Sequence, residues 1–355
     1  MALNVSRVDV TKNSTLIRLN LNNASTAESP IPSVEWSLFA VVYVTVAILG
    51  FLLNGTTLLA FLTDRTLHTP FNFTVMHLMA LNVVSALLQY AISVPGNLYH
   101  GQWLLGELWC DLYLFGQNMV NAAIVSTHGL IAVNRAWAIL NPISYRDRNS
   151  RRLTMSMLLG LWVFLLLVNF PHYVITGLVY RLPTATSGCK FNNQPVSVYA
   201  VFLSVVVYTI PILLVLALFL AVTFGQTFRC CREKNTSARL PANNQVASSA
   251  ATEEGTNTQI TKASGANGTK VLLKAKSRKY LFLSLLTASV VICYLPRTMF
   301  AFLSMVTLPN AGAWLAVYLR VANLLYACEV LIDPLLFVMT LDKLRRRIGQ
   351  LFRRG

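Results

Sequence analysis

Charged residues are scarce in this chain. Lys, Arg, Asp and Glu make up 12% of its 355 residues, whereas 55% are hydrophobic, and soluble domains carry roughly 25% charged residues. No charge at all occurs over 38–63, 153–180 or 195–228. Because about 20 apolar residues cross the hydrocarbon core of a bilayer as a helix, these three runs exclude a soluble fold and predict a membrane protein.

The motifs of common enzyme classes are also missing. The sequence has no P-loop, no His/Cys cluster with metal-ligand spacing, no nucleophile elbow and no internal repeat. We therefore predict that the chain is not an enzyme and uses no cofactor. A transporter would carry polar residues in its spans too, but the absence of an inverted repeat argues against one. No signal peptide opens the sequence, since the first apolar run begins only near residue 34.

Seven long apolar segments are present. Beside the three charge-free runs, four segments have only a few polar interruptions: 71–96, 112–140, 280–306 and 311–341. They predict an all-α fold, a seven-transmembrane helix bundle over 36–341. A loop at about 229–275, rich in Ala, Ser, Thr, Asn and Gly, is predicted to be disordered. The segment 342–355 predicts a short amphipathic C-terminal helix and tail on the cytoplasmic side.

The distribution of basic residues predicts the orientation. The polar tail 1–35 holds three Asn-x-Ser/Thr sequons, at Asn4, Asn13 and Asn23, and is expected to be extracellular and glycosylated. With the N-terminus outside, the inner segments 64–70, 141–152, 225–279 and 342–355 hold 21 of the 29 Lys and Arg residues. This positive-inside bias predicts a multi-pass plasma-membrane protein. We therefore attribute the net charge of +16 to contact with the lipid bilayer rather than with nucleic acid.

Two cysteines lie on the predicted outer side. Cys110 starts the third span, and Cys189 lies in the loop between the fourth and fifth spans. Thiols on the oxidising side can form a disulfide bond, and two buried thiols are the alternative. Cys230 and Cys231 follow the fifth span on the inner side, where palmitoylation and a pair of inert thiols are equally expected.

Short motifs occur in a fixed order along the seven segments and resemble those of rhodopsin-like (class A) G-protein-coupled receptors. They are GFLLNGTTLL with Asn54, Trp103 before Cys110, Asn134-Arg135-Ala136, Trp162, Pro211, CYLP at 293–296 and DPLLF at 333–337. The family usually has Asp-Arg-Tyr, Cys-Trp-x-Pro and Asn-Pro-x-x-Tyr at three of these places. The resemblance covers about residues 36–352 and rests on the order and spacing of the motifs.

The resemblance implies a receptor that activates heterotrimeric G proteins by rearranging its helices. The coupling switch it implies consists of Asn134, Arg135, Tyr294, Pro296, Asp333, Pro334 and Phe337. Asn134 replaces an Asp that usually restrains the arginine by an ion pair, so elevated basal activity is expected. The departures from the family pattern keep one alternative open, a receptor-like scaffold or decoy that binds ligand without coupling.

Two carboxylates, Glu329 and Asp333, lie in the seventh apolar segment. An ionisable residue at the bilayer centre costs roughly 2.5–3.5 kcal/mol on insertion scales and is functional by default. The resemblance implies a polar core formed by Asn54, Asn82, Ser85 and Asp333. In the family a second-span Asp helps to hold a sodium ion there, but this position is Ser85. Sodium at Asp333, a structural network and a protonated Asp333 therefore all stay open. His128 is expected to be a hydrogen-bonding core residue.

Ligand-binding residues are expected in the outer halves of the spans: Gln117, Asn118, Asn121, His172, Tyr294, Arg297, Thr298, Arg320 and Asn323. The aminergic Asp position is Gln117 and the opsin lysine position is Ala327, so neither a monoamine receptor nor an opsin is expected. Arg297 and Arg320 predict an acidic group on the extracellular ligand, with a peptide the first choice and a small organic acid or lipid the second. Arg297 could instead pair with Glu329 or extend to the membrane surface.

Overall fold

A computed structural model describes residues 34–238, 280–300 and 313–354. Throughout these ranges the regular elements are helices, and seven of them are long and apolar enough to cross a membrane. The membrane-spanning helices are α1 (Leu38–Thr63), α2 (Pro70–Leu98), α3 (Glu107–Leu140), α4 (Arg151–Val179), α5 (Ser197–Gln226), α6 (Tyr280–Phe300) and α7 (Ala313–Thr340), and α8 (Asp342–Arg354) follows them. The predicted all-α bundle with a C-terminal helix is confirmed.

Two predicted regions lie wholly or partly outside the described residues. The sequons at Asn4, Asn13 and Asn23 lie outside it. The helix of α5 continues as far as Ala238, into the stretch predicted to be disordered, and 239–279 lie outside the described residues. Arg, Glu and Lys in the first residues of that stretch are good helix formers, which accounts for the longer helix.

Short polar residues start several of the spans. Ser37 accepts a hydrogen bond from the Ala40 N–H at 3.2 Å before α1, and Ser150 accepts one from the Leu153 N–H at 3.3 Å before α4. Thr69 does the same for α2, where Pro70 occupies the first helical position. These side chains satisfy backbone N–H groups that a helix leaves unbonded, so α1, α2 and α4 begin where the sequence supplies a cap.

The third helix is the centre of the bundle. In its most apolar 18-residue stretch, 61% of the residues are buried, compared with 22% in α1, α4 and α5. Those three helices expose large apolar side chains on their outer faces, such as Leu52, Leu167 and Leu213. Since a surface of this kind suits lipid, α1, α4 and α5 form the periphery, and polar residues on α3 face the other helices.

Helix α1 compensates for the proline in α7. Pro334 has no N–H, so the carbonyl of Val330, four residues earlier, loses its helical partner. Asn54 supplies a replacement, because its Nδ2 donates to the Val330 carbonyl at 2.8 Å. The two helices approach closely enough for this bond at Gly50, where an added Cβ would lie 2.8 Å from Cγ1 of Val330. The proline is therefore tolerated because a neighbouring helix rebonds the free carbonyl.

Wider, π-helical turns interrupt four of the described spans, α2, α3, α4 and α5, and two of these turns lie beside the interior cavity. One covers Gly116–Val120 in α3 and another covers Ser204–Thr209 in α5. Such turns rotate the following side chains relative to a regular helix and are frequent at functional sites. Both turns carry residues that line the cavity described next.

Candidate functional site

A cavity of about 610 Å³ opens between the outer halves of α3, α4, α5, α6 and α7. Every predicted ligand-binding residue except Arg320 and Asn323 lines it. Additional lining residues come from the loop before α5 (Phe191, Asn193), from α5 (Ser197, Ser204, Tyr208) and from α7 (Tyr326). The volume falls in the range of about 300–1,000 Å³ that is typical of small-molecule sites.

Arg297 supplies the positive charge of this cavity. Its Nη1 donates a hydrogen bond to Oδ1 of Asn323, which orients the guanidinium from the α7 side, outside the cavity wall. Within the described parts of the chain Arg297 has no carboxylate partner, and Glu329 lies against His128 instead. The alternative of an internal pair between Arg297 and Glu329 is thus not formed. Four of the five guanidinium N–H groups have no hydrogen-bond partner among these residues, so they are free to bind an acceptor.

The two predicted cations differ in their surroundings. Arg320 is exposed and does not contribute to the cavity wall, whereas Arg297 is partly buried within it. Because Arg320 and Asn323 are three residues apart on α7, they point in directions about 60° apart around the helix. Arg320 therefore lies on the outside of the bundle, whereas Asn323 contacts Arg297 behind the cavity wall.

A disulfide bond between Cys110 and Cys189 ties the outer loop to the start of α3, as the sequence predicts. Arg181 reinforces this connection by bonding both Glu107 and Asp111, and Thr184 donates to Glu107 at 2.6 Å. The loop that follows therefore has a fixed position beside the cavity. It brings Phe191 and Asn193 into the lining, and Asn193 Oδ1 lies 3.2 Å from Nε2 of His172.

Replacing Gly188 by alanine should destabilise this outer loop. Gly188 has φ +68° and ψ −173°, and a Cβ would lie 2.7 Å from the carbonyl oxygen of Gly101. The backbone conformation alone costs about 1–3 kcal/mol for other residues. We expect Gly188→Ala to lower the melting temperature of the purified protein and the fraction that reaches the cell surface. Gly160→Ala, which meets open space within α4, is the control and should do neither; equal melting of the two variants would contradict the prediction.

A buried polar network crosses the middle of the bundle. Asn82 Nδ2 donates to Asp333 Oδ2 at 2.8 Å and lies 3.2 Å from Asn54 Oδ1. Asp333 Oδ1 lies 2.9 Å from His128 Nε2, and Glu329 Oε1 lies 3.3 Å from the same nitrogen. Three of the four predicted polar-core residues thus join one network, and His128 is a core residue as expected. The sequence did not predict that His128 and Glu329 belong to it.

The residues around Asp333 do not fit the sodium ion that the resemblance implies. Ser85, at the position of the second-span carboxylate, donates to Gln89 Oε1 at 3.1 Å rather than bonding Asp333. An imidazole nitrogen of His128 lies against Asp333 instead. Because hard cations take oxygen ligands, this set with its nitrogen is unsuited to sodium.

The inner end of α3 holds Arg135 between aromatic rings. Its guanidinium carbon lies 3.2 Å from the centroid of Phe71 on α2 and 5.0 Å from that of Phe282 on α6. Phe282 in turn packs against Phe337 with ring centroids 5.3 Å apart. Since a desolvated cation–π contact is worth about 2 kcal/mol, these rings restrain the arginine in the absence of an ion pair.

Asn134 bonds a tyrosine rather than the neighbouring arginine. The hydroxyl of Tyr145, in the short helix Pro142–Arg148, donates to Asn134 Oδ1 at 3.0 Å. Burial raises the pKa of Tyr145 above its ordinary value, although Arg135 opposes this, so the phenol stays protonated and able to donate. No carboxylate pairs with Arg135 among the described residues.

Of the predicted switch residues on α6, Tyr294 connects the cavity to the polar network, and Pro296 contacts α7. Tyr294 lines the cavity and packs edge-on against His128, with ring centroids 5.6 Å apart. The carbonyl of Pro296 accepts a hydrogen bond from the hydroxyl of Tyr318 at 2.8 Å. A change at the cavity therefore has a contact route through Tyr294 to His128 and Asp333.

Comparisons with known proteins agree with this architecture. Residues 53–337 match the family model described as 7 transmembrane receptor (rhodopsin family). The melanopsin of Phodopus sungorus is 27% identical over 210 residues, which are 57% of this chain and 43% of that protein. The 5-hydroxytryptamine receptor 1D of Homo sapiens is 25% identical over 221 residues, 61% of this chain and 55% of that receptor. The chain spans about half the length of these curated relatives.

Proposed function

Since this chain belongs to the rhodopsin family of seven-transmembrane receptors, we propose that it is a plasma-membrane receptor with an extracellular N-terminus that binds a ligand in the outer cavity and activates heterotrimeric G proteins. The family is one of receptors rather than enzymes. The observation that carries the proposal is the position of Arg135, held by Phe71 and Phe282 at the inner end of α3. A displacement of α6 would remove Phe282 and release the arginine to a G protein.

Arg297 supports a ligand with an acidic group. It is the cation of the cavity wall, and a guanidinium binds carboxylate or phosphate through two parallel hydrogen bonds. A peptide that enters with an acidic residue or its C-terminal carboxylate, and secondly a small organic acid, would meet this requirement. An acidic group is the chemistry that both ligand classes share.

The relatives do not supply the ligand. Some are named receptors for 5-hydroxytryptamine and others are melanopsins, which are opsins by name. Gln117 and Ala327 of this chain offer neither the carboxylate nor the lysine that monoamine receptors and opsins would need. On the basis of these two residues, we propose that this chain is neither a monoamine receptor nor an opsin.

The test of the function needs no ligand. Basal activation is recorded across a panel of Gα subunits in cells that express the native chain, Arg135→Ala or Arg152→Ala at matched surface levels. Arg152 is an exposed arginine at the start of α4 and serves as the control. We expect activity above empty cells that is lost in Arg135→Ala and kept in Arg152→Ala. Activity that survives in Arg135→Ala would contradict the coupling role, and silence in all three, with or without ligand, would favour the scaffold or decoy.

Asn134→Asp should lower basal activity. A carboxylate at this position would keep the Tyr145 bond and add a charge beside Arg135. For a partly exposed pair the gain is about 1 kcal/mol, which corresponds to a roughly fivefold fall in basal signalling. Asn134→Ala removes the bond without adding charge and separates the two effects. An unchanged basal signal in Asn134→Asp would show that the cation–π contacts alone restrain the arginine.

A further inference from the structure

We propose that His128, Glu329 and Asp333 form a binding site for one zinc ion between α3 and α7. One ligand atom from each residue lies within 4.8 Å of the others. Nε2 of His128 is 2.9 Å from Asp333 Oδ1 and 3.3 Å from Glu329 Oε1. Around a tetrahedral zinc with bonds of about 2.0–2.1 Å, ligand atoms lie about 3.3 Å apart. Small side-chain rotations would bring the three atoms to that spacing.

The surrounding hydrogen bonds orient the ligands as metal sites require. His128 Nδ1 lies 2.9 Å from the carbonyl of Ile124. Since a carbonyl only accepts, Nδ1 carries a proton and Nε2 is left to bind a cation or a second proton. Asn82 holds the other oxygen of Asp333. Metal-bound histidines almost always have such a partner on the second nitrogen, and ligating carboxylates are themselves hydrogen-bonded.

Glu329 is the independent observation that points to a bound ion. Its side chain is 1% exposed. Neither of its oxygens receives an aligned hydrogen bond from the described residues, and its neighbours are the His128 ring and the thiol of Cys293. A buried carboxylate without donors is costly, and such carboxylates are usually paired or coordinated to a metal.

The charges of the cluster call for a divalent ion. An imidazolium beside two carboxylates leaves one negative charge unmatched in the centre of the membrane. A neutral imidazole, two carboxylates and one divalent cation sum to zero. Imidazole is a preferred ligand of zinc, whereas calcium and magnesium prefer oxygen alone. The ligand set and the charge thus both favour zinc.

The outer cavity offers the ion a route. Tyr294 lines that cavity and contacts the His128 ring from above. The metal site therefore lies one side chain beneath the cavity, and an ion that enters from outside would pass Tyr294. Bound there, the ion would join α3 to α7 next to Pro334.

Zinc alone is the probe in the first experiment. The full chain is purified in detergent, stripped with a chelator and titrated with Zn²⁺ by calorimetry. We expect one ion per chain, and an affinity that falls at least about 100-fold in His128→Ala and in Glu329→Gln, beyond the range for outer-shell residues. His77→Ala is the matched control, because His77 is a span histidine that bonds Thr127 and Trp162 rather than a carboxylate. It should keep the native stoichiometry and affinity.

Several outcomes would overturn the site. Absence of stoichiometric binding in the native chain would do so, as would equal affinity in the native chain and Glu329→Gln, which indicates adventitious binding elsewhere. Glu329→Gln preserves shape, so it carries the test even if His128→Ala fails to fold. An infrared carbonyl band from a protonated acid that persists in Zn²⁺ and disappears in Glu329→Gln would identify a proton as the occupant instead. Signalling is not measured, so the result is independent of the proposed receptor function.

Discussion

Replacing His128 by leucine should lower the free energy of unfolding by about 3–5 kcal/mol. The substitution removes the side chain that faces both Glu329 and Asp333 and leaves two buried carboxylates without it. Among the residues that the structure describes, Asp333 would keep only the hydrogen bond from Asn82. The measurement is thermal unfolding of the purified protein in detergent with EDTA present, so that loss of a bound metal does not contribute to the difference.

A combined variant separates loss of charge balance from loss of packing. His128→Leu with Glu329→Leu and Asp333→Asn removes all three ionisable groups, and its stability should return to within about 1 kcal/mol of the native value, because apolar replacements of buried ion clusters are often neutral. His77→Leu provides the comparison for a half-buried histidine whose hydrogen bonds among the described residues are with neutral groups, and we expect a loss of about 1–2 kcal/mol for it. If His128→Leu melts like His77→Leu, the charges of the cluster are not important for stability.

Replacing Arg297 by glutamine should reduce the potency of an acidic agonist about 100-fold. Hydrogen bonds to a charged group contribute about 1.5–3 kcal/mol, and 1.4 kcal/mol corresponds to a factor of ten. Glutamine keeps much of the length and a donor to Asn323 but removes the charge and the paired N–H groups. The agonist is sought by screening C-terminally free peptides and carboxylic acids on the native chain, and its dose–response curve is then measured on the variant.

The same experiment can identify the group that Arg297 binds. Amidation of the ligand's acid should cost the native receptor the same factor of about 100 and should cost Arg297→Gln little more, as expected when one interaction is removed from either side. Arg320→Gln is the matched control, since Arg320 is exposed and lies outside the cavity wall. Equal losses in the Arg297 and Arg320 variants would contradict the ligand site proposed here.

The spans and most of the cavity could be predicted from the sequence because their signals are local. A charge-free run such as 195–228 identifies a span without knowledge of its neighbours. Polar residues in the outer half of a span, such as Gln117 and Asn118, have few places to point except the bundle interior. The rotation of a helix about its axis has no such local signal. For this reason the sequence grouped Arg320 with Arg297, although the two side chains have different surroundings.

The buried cluster could not be predicted because its members are far apart in the sequence. His128 and Asp333 are separated by 205 positions, and no spacing rule relates them. The carboxylates Glu329 and Asp333 indicate that α7 needs partners for its charges. Several polar residues on other spans could have been those partners, and the sequence does not distinguish them. The contribution of α5 to the cavity was missed for a related reason, since Ser197, Ser204 and Tyr208 lie within an apolar run without a charge to mark the inner face.

The hydrogen bond from Asn54 to the Val330 carbonyl has a consequence for the timescale of receptor motion. A single hydrogen bond of this kind contributes only about 0.5–1.5 kcal/mol net, so roughly a tenth to a third of molecules would have it broken at equilibrium if nothing else opposed the change. The part of α7 that follows Pro334 would then move relative to the rest of the helix within microseconds to milliseconds, which is the range of collective helix motions. A ligand at the outer cavity would not have to create a new shape of α7. It would only need to prolong the lifetime of one that the chain already visits.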